Sequence, residues 1–185
     1  MALKRFPLEQ YASLELNQVA FPKTGMVVSQ TPLGSAFTEQ APCENGMWVV
    51  ADKAAGVIAA PAAATDKPIG IVYTAEKEYD MMHYGLKTFG RKIAGDYPRV
   101  GILGVGDTVT TNCLQYDSTD FADDEALDTA LKAIATTPLY VTIAAGSPVP
   151  KIVKTKPNSG IYAKVVKYYT VPNGEKGVKY QIISL

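Results

Sequence analysis

Histidine occurs once, at His83, and cysteine twice, at Cys43 and Cys113. So few ligands, so widely spaced, exclude a CxxC redox pair and a zinc cluster, each of which needs cysteines or histidines a few residues apart. The two thiols read as small buried hydrophobes, with a single disulfide as the alternative. Charge of one sign is also lacking. The 18 basic residues face 18 acidic ones, so no whole-chain field draws the protein to nucleic acid or to anionic lipid. Apolar runs are short, and none approaches the ~20 residues that a membrane-crossing helix needs. The opening MALKRFP has no continuous apolar stretch of the kind a secretory leader carries, because Pro7 interrupts it. G-x-S-x-G, H-E-x-x-H and G-x-x-x-x-G-K-[ST] do not occur, which removes the hydrolase elbow, the zincin helix and the P-loop. The expectation is a protein made in the cytoplasm and soluble there until it assembles with something. No cofactor, metal, membrane or nucleic-acid partner is expected.

With 47% hydrophobic and 19% charged residues, the chain has the apolar content to fold, and its length favours one domain with an appended arm. Pro7, Pro22, Pro32 and Pro42 punctuate residues 1–45 at nearly even spacing. Each removes a backbone donor and holds its predecessor in extended geometry, so this region reads as an extended N-terminal arm or a run of short strands. From Gly46 the pattern changes. Residues 47–52 and 57–61 fit a hairpin of two short strands, AAPAAAT at 59–65 is a small-residue loop, and residues 69–75 are the next strand. EKEYDMMHYGLKTFG, residues 76–90, has no clean period and reads as a long excursion.

RVGILGVGDTVTTN, residues 99–112, holds Gly101, Gly104 and Gly106 in the order G-x-x-G-x-G, not the dinucleotide order G-x-G-x-x-G. The next residues, Thr108 to Thr111, are β-branched and suit a strand, so no helix N-terminus is available to hold a phosphate. Gly104-Val-Gly-Asp then joins two strands, with Asp107 bonding back into the turn. Residues 123–135 are the one helix: Leu127, Leu131 and Ile134 recur at i, i+4 and i+7 behind an acidic first turn. Leu139, Val141 and Ile143 alternate as a strand, and residues 161–185 form a hairpin in which Val178, Tyr180 and Ile182 face one way and Lys179 and Gln181 the other. The fold class expected is mainly β with one α-helix, a β-barrel or sandwich carrying the extended arm of residues 1–45 on a β-rich domain of residues 46–185.

No residue is assigned a catalytic, cofactor-binding or metal-ligating role. His83 has Asp80 as its nearest partner in sequence but no nucleophile motif beside it. Asp117, Asp120, Asp123, Asp124 and Glu125 could bind calcium, yet they lack the D-x-[DN]-x-[DN]-G spacing, and helix capping accounts for them. KTFGRK at 87–92 sets Phe89 among Lys87, Arg91 and Lys92, a thin basic patch that is read as a solvated loop or a contact for an acidic surface. Tyr162, Tyr168, Tyr169 and Tyr180 fall in the terminal hairpin, where tyrosine serves a core or a protein contact.

Residues 46–61, GMWVVADKAAGVIAAP, followed by KPIGIVY at 67–73, resemble the small β modules of tailed-bacteriophage capsid decoration (cement) proteins, and residues 97–112 are similar to phage virion structural proteins. The resemblance covers residues 46–112 and leaves the helix and the C-terminal hairpin unaccounted for. It implies a β-rich, non-enzymatic virion protein without a cofactor, docking on an assembled shell and clamping neighbouring subunits. Its partners would be the major capsid protein or other virion proteins, with a homo-oligomer possible, and the contact would use residues 1–45 and 76–92. The alternatives are a tail-tube, connector or head-fibre component, a carbohydrate- or peptide-binding β module using surface tyrosines, and a small hydrolase using His83.

Overall fold

The computed structural model describes residues 3–8, 11–16, 19, 21–28, 30–51, 53–74, 92–170 and 174–185. The excursion at 76–90, with His83, Asp80, Lys87 and Phe89, lies outside them, as does Arg91. The strands are β1 (Leu3–Arg5), β2 (Val27–Val28), β3 (Trp48–Val50), β4 (Ile69–Val72), β5 (Val100–Ile102), β6 (Thr108–Thr111), β7 (Gln115–Asp117), β8 (Tyr140–Thr142), β9 (Lys151–Val153), β10 (Tyr162–Thr170) and β11 (Lys176–Ser184). The helix is α1 (Asp124–Lys132). They form a seven-stranded sheet in the order β1-β7-β9-β8-β10-β11-β6 and a four-stranded sheet in the order β2-β5-β4-β3. All pairings are antiparallel except β7 with β9.

Neither sheet closes on itself, which sets the barrel alternative aside; the described residues are mainly β with one short helix, and two open sheets are consistent with a sandwich. The small sheet is buried on both faces. Trp48, Ile69 and Ile71 point into a cluster shared with Val165, Val178, Tyr180 and Ile182 of the large sheet. Val49, Val72 and Val100 point the other way, onto Leu33, Phe37, Cys43 and Ile58. Alternation along each strand separates the two sets. Double burial is also why these strands are apolar at every position, as Ile69-Gly-Ile-Val shows.

At its described positions the proline-punctuated region is laid against the body. Leu3–Arg5 pairs with Gln115–Asp117 at the edge of the large sheet, and Val27–Val28 pairs with β5 at the edge of the small one. Phe6, Ala12, Leu14, Val28, Leu33 and Phe37 are all buried. Burying that much apolar surface outweighs the prolines' loss of donors. A bidentate contact fastens it further. The Arg5 guanidinium donates to Glu44 at 2.9 and 3.4 Å, and the same carboxylate accepts the Ala12 N–H at 2.9 Å.

The expected hairpin of residues 47–61 reduces to β3 and a single antiparallel bridge, Val50 to Ala59, with a 3-10 turn at Lys53–Ala55 between them. Gly104-Val-Gly-Asp joins β5 to β6 as expected and crosses from one sheet to the other. Gly106 has φ +97°, Asp107 accepts the Gly104 N–H at 2.7 Å, and at Gly101 a Cβ would sit 1.9 Å from the Phe21 ring. The helix spans Asp124–Lys132, shorter than 123–135. Asp123 caps it by accepting the Ala126 N–H at 2.8 Å, and beyond Lys132 Thr136 donates back to the Ala133 carbonyl at 3.0 Å, favouring a turn over another helical turn.

Between the sheets, Trp48 Nε1 donates to Tyr180 Oη at 2.9 Å, and the two rings meet edge to face at 5.8 Å. Both side chains are wholly buried, so neither polar atom has water as an alternative. Tyr180→Phe is expected to destabilise the protein by about 1–3 kcal/mol, because it leaves the indole N–H unpaired. Trp48→Phe adds the loss of buried volume to that. Urea unfolding of both variants and of the double variant should give a combined loss smaller than the sum of the two; additive losses would mean the hydrogen bond is not coupling the sheets.

Candidate functional site

A groove of about 660 Å³ lies where the segment after β1, α1 and the end of the β10–β11 hairpin at Tyr168 and Lys176 come together. Phe6, Leu127 and Leu131 form its apolar floor, and Asp124, Glu125, Asp128 and Glu175 stand on its rim beside Lys176. The helix delivers this arrangement through its period: Leu127 and Leu131 turn inward, while Asp124 and Asp128 flank them one turn apart.

Asp124, Asp128 and Glu175 on this rim are already engaged. Asp124 accepts the Tyr116 hydroxyl at 2.5 Å and the Lys4 ammonium at 2.8 Å. Asp128 accepts Tyr168 Oη at 2.5 Å and pairs with Lys132 at 2.5 Å. Lys4 above all, and then Tyr116, hold Asp124 below the usual carboxylate range, and Lys132 and then Tyr168 do the same for Asp128. Glu175 accepts from the Asn112 amide at 2.8 Å. A general acid or base working near neutrality needs its pKa moved the other way.

The remaining acids of the run are structural as well. Asp117 pairs with Lys151 at 2.5 Å and accepts the Thr119 and Asp120 N–H groups at 3.0 and 3.2 Å. Asp120 stands 3.9 Å from the same amine. Asp123 is the helix cap. Among the described residues no group of three His, Cys, Asp or Glu side chains is placed to hold a metal ion, and no helix is long and apolar enough to cross a membrane.

Cys43 and Cys113 are both buried free thiols. Burial pushes Cys113 up to about 12 and Cys43 higher still, so both stay protonated at neutral pH and lack the thiolate that reactivity requires. The tyrosines divide. Tyr180 belongs to the core, Tyr162 is buried with its ring edge-on to Tyr140, Tyr168 serves Asp128, and Tyr169 is half-buried, its phenol pushed up to about 12 by burial and then by Glu15. Of the KTFGRK patch only Lys92 is described, and its backbone pairs with Cys43 at 2.7 and 3.0 Å. The Arg5–Glu44 contact has no signal in the sequence, since nothing local links residues so far apart. Of the lysines of the terminal hairpin, Lys179 is placed on the outward face by its alternation, while Lys164 and Lys167 are not singled out in the sequence.

Comparison with protein-family models, with curated proteins and with solved structures finds no match for this chain. The resemblance over residues 46–112 therefore rests on those residues alone.

Lys151 is the largest influence holding Asp117 at about 2, against about 3.9 for the carboxyl in an unfolded chain. A carboxyl depressed on folding contributes its stability in full above about pH 4 and loses it as the pH falls toward about 2. Lys151→Met removes the amine and keeps the chain's bulk. Urea midpoints at about pH 6 and about pH 3 should show a shallower acid loss in the variant than in the parent; equal slopes would mean that another group governs acid unfolding.

Proposed function

We propose that the protein is a non-enzymatic virion structural protein, a capsid decoration protein that binds the assembled shell and stabilises it. The observation that carries this reading is where the buried ionisable groups go. Glu44, Asp117, Tyr116 and Tyr180 each tie one element to another, and both thiols are sealed in the interior. Chemistry-bearing side chains are committed to rigidity, as suits a protein whose work is contact. The segment resembling decoration modules, residues 46–112, supports the reading further: it contains β3, β4, β5 and β6, and thus three strands of the small sheet and the crossover into the large one.

A protein that binds the assembled shell and not its free subunits stabilises the shell by mass action, more strongly as occupancy rises. Residues 1–45 enter this picture as part of the body that presents the contact, since Leu33 and Phe37 lie in the interior. Deleting them would test folding, not docking. Sedimentation of a native lysate through a density gradient tests the reading directly. The protein is expected to travel with large particles, at a copy number comparable to that of the most abundant particle protein. Remaining at the top of the gradient as a small species in gentle salt would overturn it.

A further inference from the structure

The face of the seven-stranded sheet that points away from the core carries an arrangement the fold does not use. In β10 and β11, Ala163, Val165, Val178, Tyr180 and Ile182 point inward, so Lys164 and Lys179 point outward by alternation. Register sets Lys167 directly opposite Lys179, and Lys164 between Tyr140 on one side and Gln181 on the other. Thr110 is the next residue beyond Lys179. These two rows across the sheet therefore hold three lysines and no acid. None of the three makes an ion pair with a described residue. The Lys167 amine lies over the Tyr169 ring, 5.9 Å from its centroid.

Like charges directly opposite each other on adjacent strands destabilise a sheet. Here they sit in the longest hairpin of the described fold, where an acid at either position would have supplied a favourable cross-strand pair. Between them the hairpin is bulged: the register shifts between Val165 and Lys167, and the intervening Val166 is 53% exposed. A bulge re-aims a side chain, and this one turns an apolar residue out among the lysines. An apolar centre with a charged surround is the anatomy of a protein contact.

We propose that this face docks an acidic protein surface, with partner carboxylates seated between Lys167 and Lys179 and beside Lys164, and an apolar side chain against Val166. A strand of nucleic acid fits less well, because base stacking needs free rings. Tyr140 is held edge-on by Tyr162, and Tyr169 has its hydroxyl buried. The proposal rests on the shell-binding reading only for the identity of the partner, which would be an acidic patch on the shell.

The test pairs stability with docking in Lys167→Glu, with Lys164→Glu as a second variant across from the neutral Gln181. Because Lys167→Glu creates an opposite-charge pair with Lys179, its thermal midpoint should equal or exceed that of the parent. Its co-sedimentation with particles should nevertheless fall by about tenfold, since the complementarity that selects the partner is reversed. Parent docking should weaken from about 0.1 M to about 1 M salt, where the screening length shortens from about 10 to about 3 Å. In parallel, a glutamate-rich synthetic peptide is titrated into the purified parent protein and followed by amide chemical shifts. Parent and both variants pelleting equally at either salt would overturn the docking face and leave the shell-binding reading standing. A parent that does not pellet at all removes the shell; shifts confined to the rows of Lys164, Lys167 and Lys179 would then keep the face with another acidic partner, and their absence would overturn it as well.

Discussion

Trp48 and Tyr180 meet where the small sheet faces the large one, and the tyrosine oxygen accepts the indole N–H where both side chains are wholly buried. Their hydrogen bond contributes a net of about 0.5–1.5 kcal/mol and the edge-to-face rings a similar amount beyond their buried area. The geometric consequence is larger than either figure. Trp48 is in the edge strand β3 and its backbone N–H is also committed, to the Pro148 carbonyl at 2.7 Å. Fixing the indole therefore fixes how β3 lies over β11, and the rest of the interior fills in around that placement.

Similar fastenings govern the periphery of the large sheet. Lys4 to Asp124 ties the edge strand β1 to the helix, Asp128 ties the helix to Tyr168 of the hairpin, and inside the sheet Lys151 ties β9 to Asp117 of β7. The exposed Lys4–Asp124 pair contributes little to stability by itself, whereas Lys151–Asp117 is largely buried. Acting on three-residue strands, they supply orientation that short ladders of backbone bonds leave undetermined.

Parts of this fold announce themselves in the sequence. Val178, Tyr180 and Ile182 alternate because one face of β11 is buried and the other wet, and Leu127 and Leu131 repeat at helical spacing because α1 has a single buried stripe. Where both faces are buried the alternation vanishes, so the run at 69–72 reveals a strand without revealing what either face meets. β1, β2, β7 and β9 are two or three residues long, and β1 finds its partner more than a hundred positions away, so no local pattern could specify it. The lysine face falls in between. Its residue types are plain, but the opposition of Lys167 and Lys179 depends on a bulge that only the register discloses.

The N-terminal strands belong to different sheets, and both sheets draw on distant parts of the chain. Leu3–Arg5 cannot pair until Gln115–Asp117 exists beside it, and Trp48 waits for Tyr180, 132 positions later. Closing such distant contacts is slow, because chain entropy must be given up before the contacts return it. As the chain emerges from the ribosome, the outer face of the small sheet can form among residues 27–102, while the indole of Trp48 has no acceptor at Tyr180 until the terminal hairpin has been made.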